Sequence, residues 1–224
     1  MPNYKIRFKN IWKKVVKKCQ LLDYMNQTEI DKLYNLIETS YCTGHRFYHT
    51  LEHLIECLEL FLDTEHLCNH RLNVLFAILF HDAVYDPASQ DNEEQSAQLM
   101  MHHYQHLDCI NANLVYAYII DTKNHPISEC NDSNIIRDID LSIFGKHSRR
   151  FLNYDHMILY EYTPLLNMDA DNPLKEYASR RCEVLKHFYS ERIFVTDYFY
   201  NKFQSRAESN LRNMIRHYES ILFE

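Results

Sequence analysis

LNVLFAILFHDAVYDP, residues 72–87, is the stretch on which the reading of this chain turns. It opens as an apolar run, too short to cross a bilayer, which takes roughly 20 residues. Such a run reads as a helix buried in a protein core. It ends on His81-Asp82, with Tyr85-Asp86-Pro87 just beyond. An imidazole and a carboxylate carried into a core must be hydrogen-bonded, paired or bound to a metal. Their partners have to come from elsewhere in the chain.

Working outward, glycine is the most informative count. The chain has 224 residues with 2 Gly and 5 Pro, against an average glycine usage of about 7%. Parallel α/β folds and β-hairpins both need glycine at turns and phosphate loops. The expectation is an all-α fold. With no P-loop and no G-x-G-x-x-G, a Rossmann- or kinase-type nucleotide site is excluded. Hydrophobic residues make up 46% of the chain, ample for a core, and no repeat or composition shift marks a boundary, so one domain over 1–224 is expected.

The formal net charge of −7 argues against binding a nucleic-acid polymer. The exception is the basic stretch Lys5–Lys18, read as a first helix with a solvated basic face, with a membrane-surface or acidic-partner role as the lesser reading. Seven cysteines without a C-x-x-C pair suit reduced thiols in a cytosol. No apolar signal segment follows the N-terminal charges, so a soluble, cytoplasmic protein without membrane partners is expected.

Apolar periodicity predicts helices over 4–23, 28–40 with Thr28 as N-cap, 48–65, 70–82, from an Asp91 cap to His106, 111–123, 135–144, 151–162, 174–190 and 197–222. Tyr41–Arg46 reads as a loop, and Pro164–Pro173 as a break. Four features on this frame carry chemistry. In Tyr48-His49-Thr50-Leu51-Glu52-His53, two histidines four apart share one face of a predicted helix. His81-Asp82 closes the buried helix. Asp138-Ile139-Asp140 ends another apolar segment. Asp91-Asn92-Glu93-Glu94 with Ser96-Ala97 follows the His-Asp pair. Imidazole and carboxylate together suit a divalent ion such as Mn, Fe, Co, Ni, Zn or Mg. Two His and two Asp leave open positions for water and a phosphate oxygen.

These stretches resemble the HD superfamily of metal-dependent phosphohydrolases, and within it a bacterial group of predicted hydrolases with the run R-x-YHT-x-x-H, FHDAVYDP, DNE-x-SA, TK-x-H and D-x-DLS-x-x-G. The matching residues are Arg46–Thr50 through His53, Ala77–Pro87, Asp91–Ala97, Thr122–His125 and Asp138–Gly145. A C-terminal likeness rests on Glu161-Tyr162, Arg181, Val184-Leu185, Ala207 and Asn210-Leu211. The resemblance runs from about residue 41 to the end. It implies an HD-like helical bundle with additional terminal helices: 1–40 N-terminal helices, 41–145 the metal-site core, 146–224 C-terminal helices.

The resemblance also implies roles. His53, His81, Asp82 and Asp140 match the metal ligands. By analogy with cyclic-nucleotide phosphodiesterases, His49 is the general acid, although the roles of His49 and His53 can be exchanged. Glu93 or Glu94 is a candidate base or water holder, or simply complements a helix dipole. Arg46 and Lys123 are candidates for substrate phosphate, and His125 for phosphate or a second metal. A surface or structural ion pair would account for Arg46 and Lys123 equally well, and for His125 a plain loop position is the favoured reading. The leading expectation is hydrolysis of a small phosphorylated molecule, a nucleotide or nucleoside phosphate. One alternative is a di-iron oxygenase drawing on His102, His103, His106 and His125. The other is a non-catalytic metal- or nucleotide-binding helical protein.

Overall fold

The computed structural model describes residues 2–166 and 172–223. Ten α-helices and several short 3-10 turns account for nearly all regular structure, and no strand occurs among the described residues, as the glycine count predicts. The helices are α1 Pro2–Lys18, α2 Gln27–Ser40, α3 Leu51–Thr64, α4 Arg71–Phe80, α5 Asn92–Tyr104, α6 Ala112–Asp121, α7 Asn131–Asp140, α8 Ser148–Tyr162, α9 Pro173–Ser190 and α10 Asp197–Phe223. No helix among the described residues is long and apolar enough to cross a membrane. The expected break at Pro164–Pro173 begins with a 3-10 turn at Thr163–Leu165, and residues 167–171 of it lie outside the described residues.

Chain contacts divide the molecule into two compact units, Met1–Ile139 and Asp140–Glu224, a division that no composition shift in the sequence marks. The cut falls in the last turn of α7, so Asp140 is described with the helix that carries it.

In the first unit α4 is central, packing against α3, α5 and α6. Eight of its ten residues are apolar, and every residue from Leu72 to Phe80 is buried. Asn73, the polar residue inside that run, accepts a bond from the Asn111 N–H (2.9 Å) at the start of α6. The N-terminal end of α4 has no side-chain cap of its own. Fully buried Asp132 on α7 accepts instead from the backbone N–H groups of Asn69 (2.7 Å) and His70 (2.8 Å). A carboxylate there meets the donors that a helix start leaves unpaired.

Three expectations about helix starts are corrected. α2 is capped by Asn26, not Thr28, through a reciprocal box with Glu29. Asp91 stands at the α5 cap position without capping it; its carboxylate binds the Ser89 hydroxyl and the Gln95 amide. α3 begins only at Leu51, with Thr50 as cap accepting from the Glu52 N–H at 3.3 Å. His49 therefore precedes the helix and does not share a helical face with His53.

In the second unit α9 packs along α10, and the 3-10 turn Leu141–Gly145 lies against α10. The Asn210 amide donates to the carbonyls of Phe144 (2.8 Å) and Lys146 (2.9 Å), and Arg206 to that of Gly145 (3.1 Å). Buried Asp155 on α8 accepts from Arg181 Nε (3.0 Å) and the Tyr218 hydroxyl (2.5 Å). The Arg181 guanidinium lies 5.1 Å from the centre of the Tyr154 ring. These contacts give Arg181 and Asn210 structural employment inside this unit.

Candidate metal centre

The site begins where α4 stops. The His81 N–H still donates to Ala77 O (2.9 Å), and the Ala83 N–H closes a turn onto Phe80 O (2.9 Å). His81, 3% exposed, has Nδ1 2.8 Å from the Ile78 carbonyl. A carbonyl can only accept, so Nδ1 donates to it, which leaves Nε2 as the nitrogen that turns to the site. Nε2 lies 3.1 Å from His53 Nε2 and 3.0 Å from Asp82 Oδ2. His53 Nε2 lies 3.5 Å from the same carboxylate oxygen.

His53, 2% exposed, comes from the first turn of α3. Donor atoms of His53, Cys57, His81 and Asp140 all lie within 4.8 Å of one another. Burial alone would raise the Asp82 carboxyl. The imidazoles of His81, His49 and His53 outweigh it and hold that carboxyl well below the usual carboxylate range.

The turn that presents His81 and Asp82 is fixed by side chains from distant parts of the chain. Arg46, buried, donates through Nη1 to Asp82 O (2.6 Å) and His49 O (3.0 Å), through Nη2 to Ala83 O (3.0 Å), and through Nε to Thr43 (2.8 Å). The Asp82 N–H donates to the Tyr41 hydroxyl (3.3 Å). The Ser96 hydroxyl accepts from the Val84 N–H (3.0 Å) and donates to the Val84 carbonyl (3.2 Å). Asn92 brackets Asp86, accepting from its N–H (2.9 Å) and donating to its carbonyl (2.8 Å). His45 Nε2 meets Tyr85 O at 2.6 Å.

The remaining expected residues fall into three groups. His49, half-buried, stacks on the Tyr85 ring (centroids 4.1 Å apart) and lies 6.1 Å from the His53 ring. Glu93 is half-buried, and burial pushes its carboxyl up, with the Asp82 charge adding to the effect. Lys123 donates to Glu94 Oε1 (2.7 Å) and to Gln90 O (2.5 Å), which lowers the Glu94 carboxyl and raises the Lys123 ammonium. His125 adopts a positive φ of 48° after α6, and its carbonyl accepts from Arg137 Nε (2.7 Å). Among the described residues the cluster of metal-type donors contains none of His102, His103, His106 and His125. Asp138, fully buried beside Arg137 (3.5 Å), is outside it too.

Cys57 was not anticipated from the sequence. Its signal was present as a second i,i+4 pair, His53–Cys57, on the buried face of α3. Chemically the convergent group offers two imidazoles, a thiol and the Asp140 carboxylate, while Asp82, expected as a ligand, stands outside that group against the two imidazoles. The donor types and their convergence fit a divalent transition-metal ion. No family model matches the chain, and neither a curated protein nor a solved structure does.

Proposed function

We propose that the chain is a metal-dependent phosphohydrolase of the HD type, acting on a small phosphorylated molecule such as a nucleotide. The observation that carries this reading is the convergence of His53 Nε2, His81 Nε2 and Asp82 Oδ2 within 3.5 Å, in a largely buried site, with the His81 tautomer set by Ile78 O. His53, His81, Asp82 and Asp140 would hold the ion. A divalent ion bound there lowers the pKa of a coordinated water and polarises a phosphoryl oxygen.

The chain's own residues supply the rest. Asp82 stays ionised because the flanking imidazoles outweigh the effect of burial on its carboxyl. Glu93, its carboxyl raised by burial, would accept a proton from an attacking water. His49, held flat against Tyr85 at the rim, hands a proton to the leaving oxygen. The Arg46 donors that would meet a phosphate are engaged with backbone carbonyls. In this reading Arg46 therefore positions the turn, and Lys123, itself held by Glu94 Oε1 and Gln90 O, is left as the candidate cation for substrate contact.

The test is metal content of the purified protein beside His81→Ala and Asp140→Ala, followed by phosphate release from nucleotides and generic esters with Mn, Co, Ni, Mg and Fe. Bound metal that disappears in both variants, with phosphate release following it, supports the reading. A protein that takes up no metal on titration overturns it.

A further inference from the structure

Cys57 sits one helical turn after His53 on α3, and both side chains are 2% exposed. Its Sγ lies 3.7 Å from His53 Nε2 and 3.8 Å from His53 Nδ1. It belongs to the donor group that lies within 4.8 Å together with His81 and Asp140. A ligand set of histidine and aspartate alone is only moderately selective for the later divalent metals over Mg and Mn. A thiol placed among them is not: thiolate favours zinc and other borderline or soft ions over hard ones.

The spacing can be tested against coordination chemistry. Donors held tetrahedrally at roughly 2.0–2.1 Å for nitrogen and 2.3 Å for sulfur lie roughly 3.4–3.6 Å apart. The observed separations are 3.7 Å for Cys57 Sγ to His53 Nε2 and 3.1 Å for the two Nε2 atoms. The four donor atoms lie within 4.8 Å of one another, so side-chain movements of about 1 Å would close the set. An ordinary role exists as well, since a buried cysteine packs as a small hydrophobe, and the experiment has to separate the two.

We propose that Cys57 is a metal ligand, and that it makes this centre a thiolate-bearing site selective for zinc-like ions (zinc, cobalt or ferrous iron) over magnesium and manganese. The inference rests on the metal reading above and adds to it a donor and a choice of ion. On binding, a sulfur–metal bond forms and the thiol proton passes to bulk water; no group changes oxidation state.

The experiment is titration of the full chain with Co(II), reading cobalt per chain and the near-ultraviolet absorption in parallel. Zinc-against-manganese competition follows on wild type and Cys57→Ala. The expected result is one cobalt with a sulfur-to-cobalt charge-transfer band in wild type. Cys57→Ala keeps cobalt but loses the band, and its preference for zinc over manganese falls at least about ten-fold, a loss that even an outer-shell partner produces. Cobalt bound without the band in wild type overturns the role of Cys57 while leaving the metal centre standing, and that result depends on no variant folding. An unchanged zinc preference in Cys57→Ala overturns the selectivity. Failure of wild type to bind cobalt or zinc at all overturns the metal centre and this inference with it.

Discussion

Arg46 Nη1 donates to the backbone carbonyl of Asp82 at 2.6 Å, so a cation from the loop before α3 holds the residue next to His81 by its main chain. The same guanidinium holds Ala83 and His49. Arg46→Ala strands three carbonyls in or near the core and should cost about 3 kcal/mol. Arg46→Lys keeps the charge but not the fork and should recover only part of that. Urea unfolding of the metal-free protein measures both. If Arg46 instead served the substrate, Arg46→Lys would raise KM and leave the unfolding midpoint where it was.

Glu93 gives a pH dependence. Its folded-state pKa is raised by burial and by the Asp82 charge. Its contribution is therefore fully present below the unfolded value of about 4.3 and is lost as pH rises through the folded value. At pH 7 the charged side chain disfavours the fold. Glu93→Gln should raise Tm there by about 1–2 °C, the shift that roughly half a kcal/mol gives in a chain of this size. Near pH 4 the two proteins should melt together. Thermal melts across that range decide it, and a variant equally stabilised at both pH values would refute the assignment.

Asp132 supports the centre from the far end of α4, through two charge-assisted bonds at Asn69 and His70. Asp132→Ala leaves the part-buried N–H groups of Asn69 and His70 without their carboxylate and should lower stability by about 1–2 kcal/mol. Hydrogen exchange should show the loss first at residues 69–74. A variant as stable as wild type would mean that water replaces the carboxylate there.

Gly145 tests the second unit. A Cβ at this position would lie 2.5 Å from Phe203 Cβ and 2.9 Å from Phe203 Cδ1. Gly145→Ala should destabilise by about 1–3 kcal/mol through overpacking. Phe203→Ala removes the ring but not its Cβ, so the double variant should not recover. Recovery would show that the ring is the true obstacle.

The helical class and the site's scaffold were legible because both rest on local pattern. Few glycines, a 3.6-residue period and the Leu72–Phe80 run leave little room for strands, and His81-Asp82 stands just past α4 as its sequence suggests. The reading failed where one spacing has two meanings. His49–His53 and His53–Cys57 are both four apart, but the Thr50 cap lies between the first pair and places His49 on a loop, whereas the second pair is truly helical. Capping decided which pair shares a face. Cys57 was hidden because thiols were weighed as C-x-x-C pairs, and a ligand set assembled from three helices has no such signature. The engagement of Arg46 with three carbonyls was invisible for a related reason: a side chain that binds main chain leaves no partner residue type to recognise.

The clamp on the His-Asp turn bears on what the sequence motif actually records. Arg46, Tyr41, Ser96 and Asn92 all grip peptide groups of residues 82–86. They would be needed to hold that bend whatever stood at the donor positions. A chain keeping these four residues while replacing His53 and Asp140 would carry much of the same signature and the same bend with a depleted donor set. The motif is thus largely a record of architecture, and reactivity is written in the few side chains that touch one another across it.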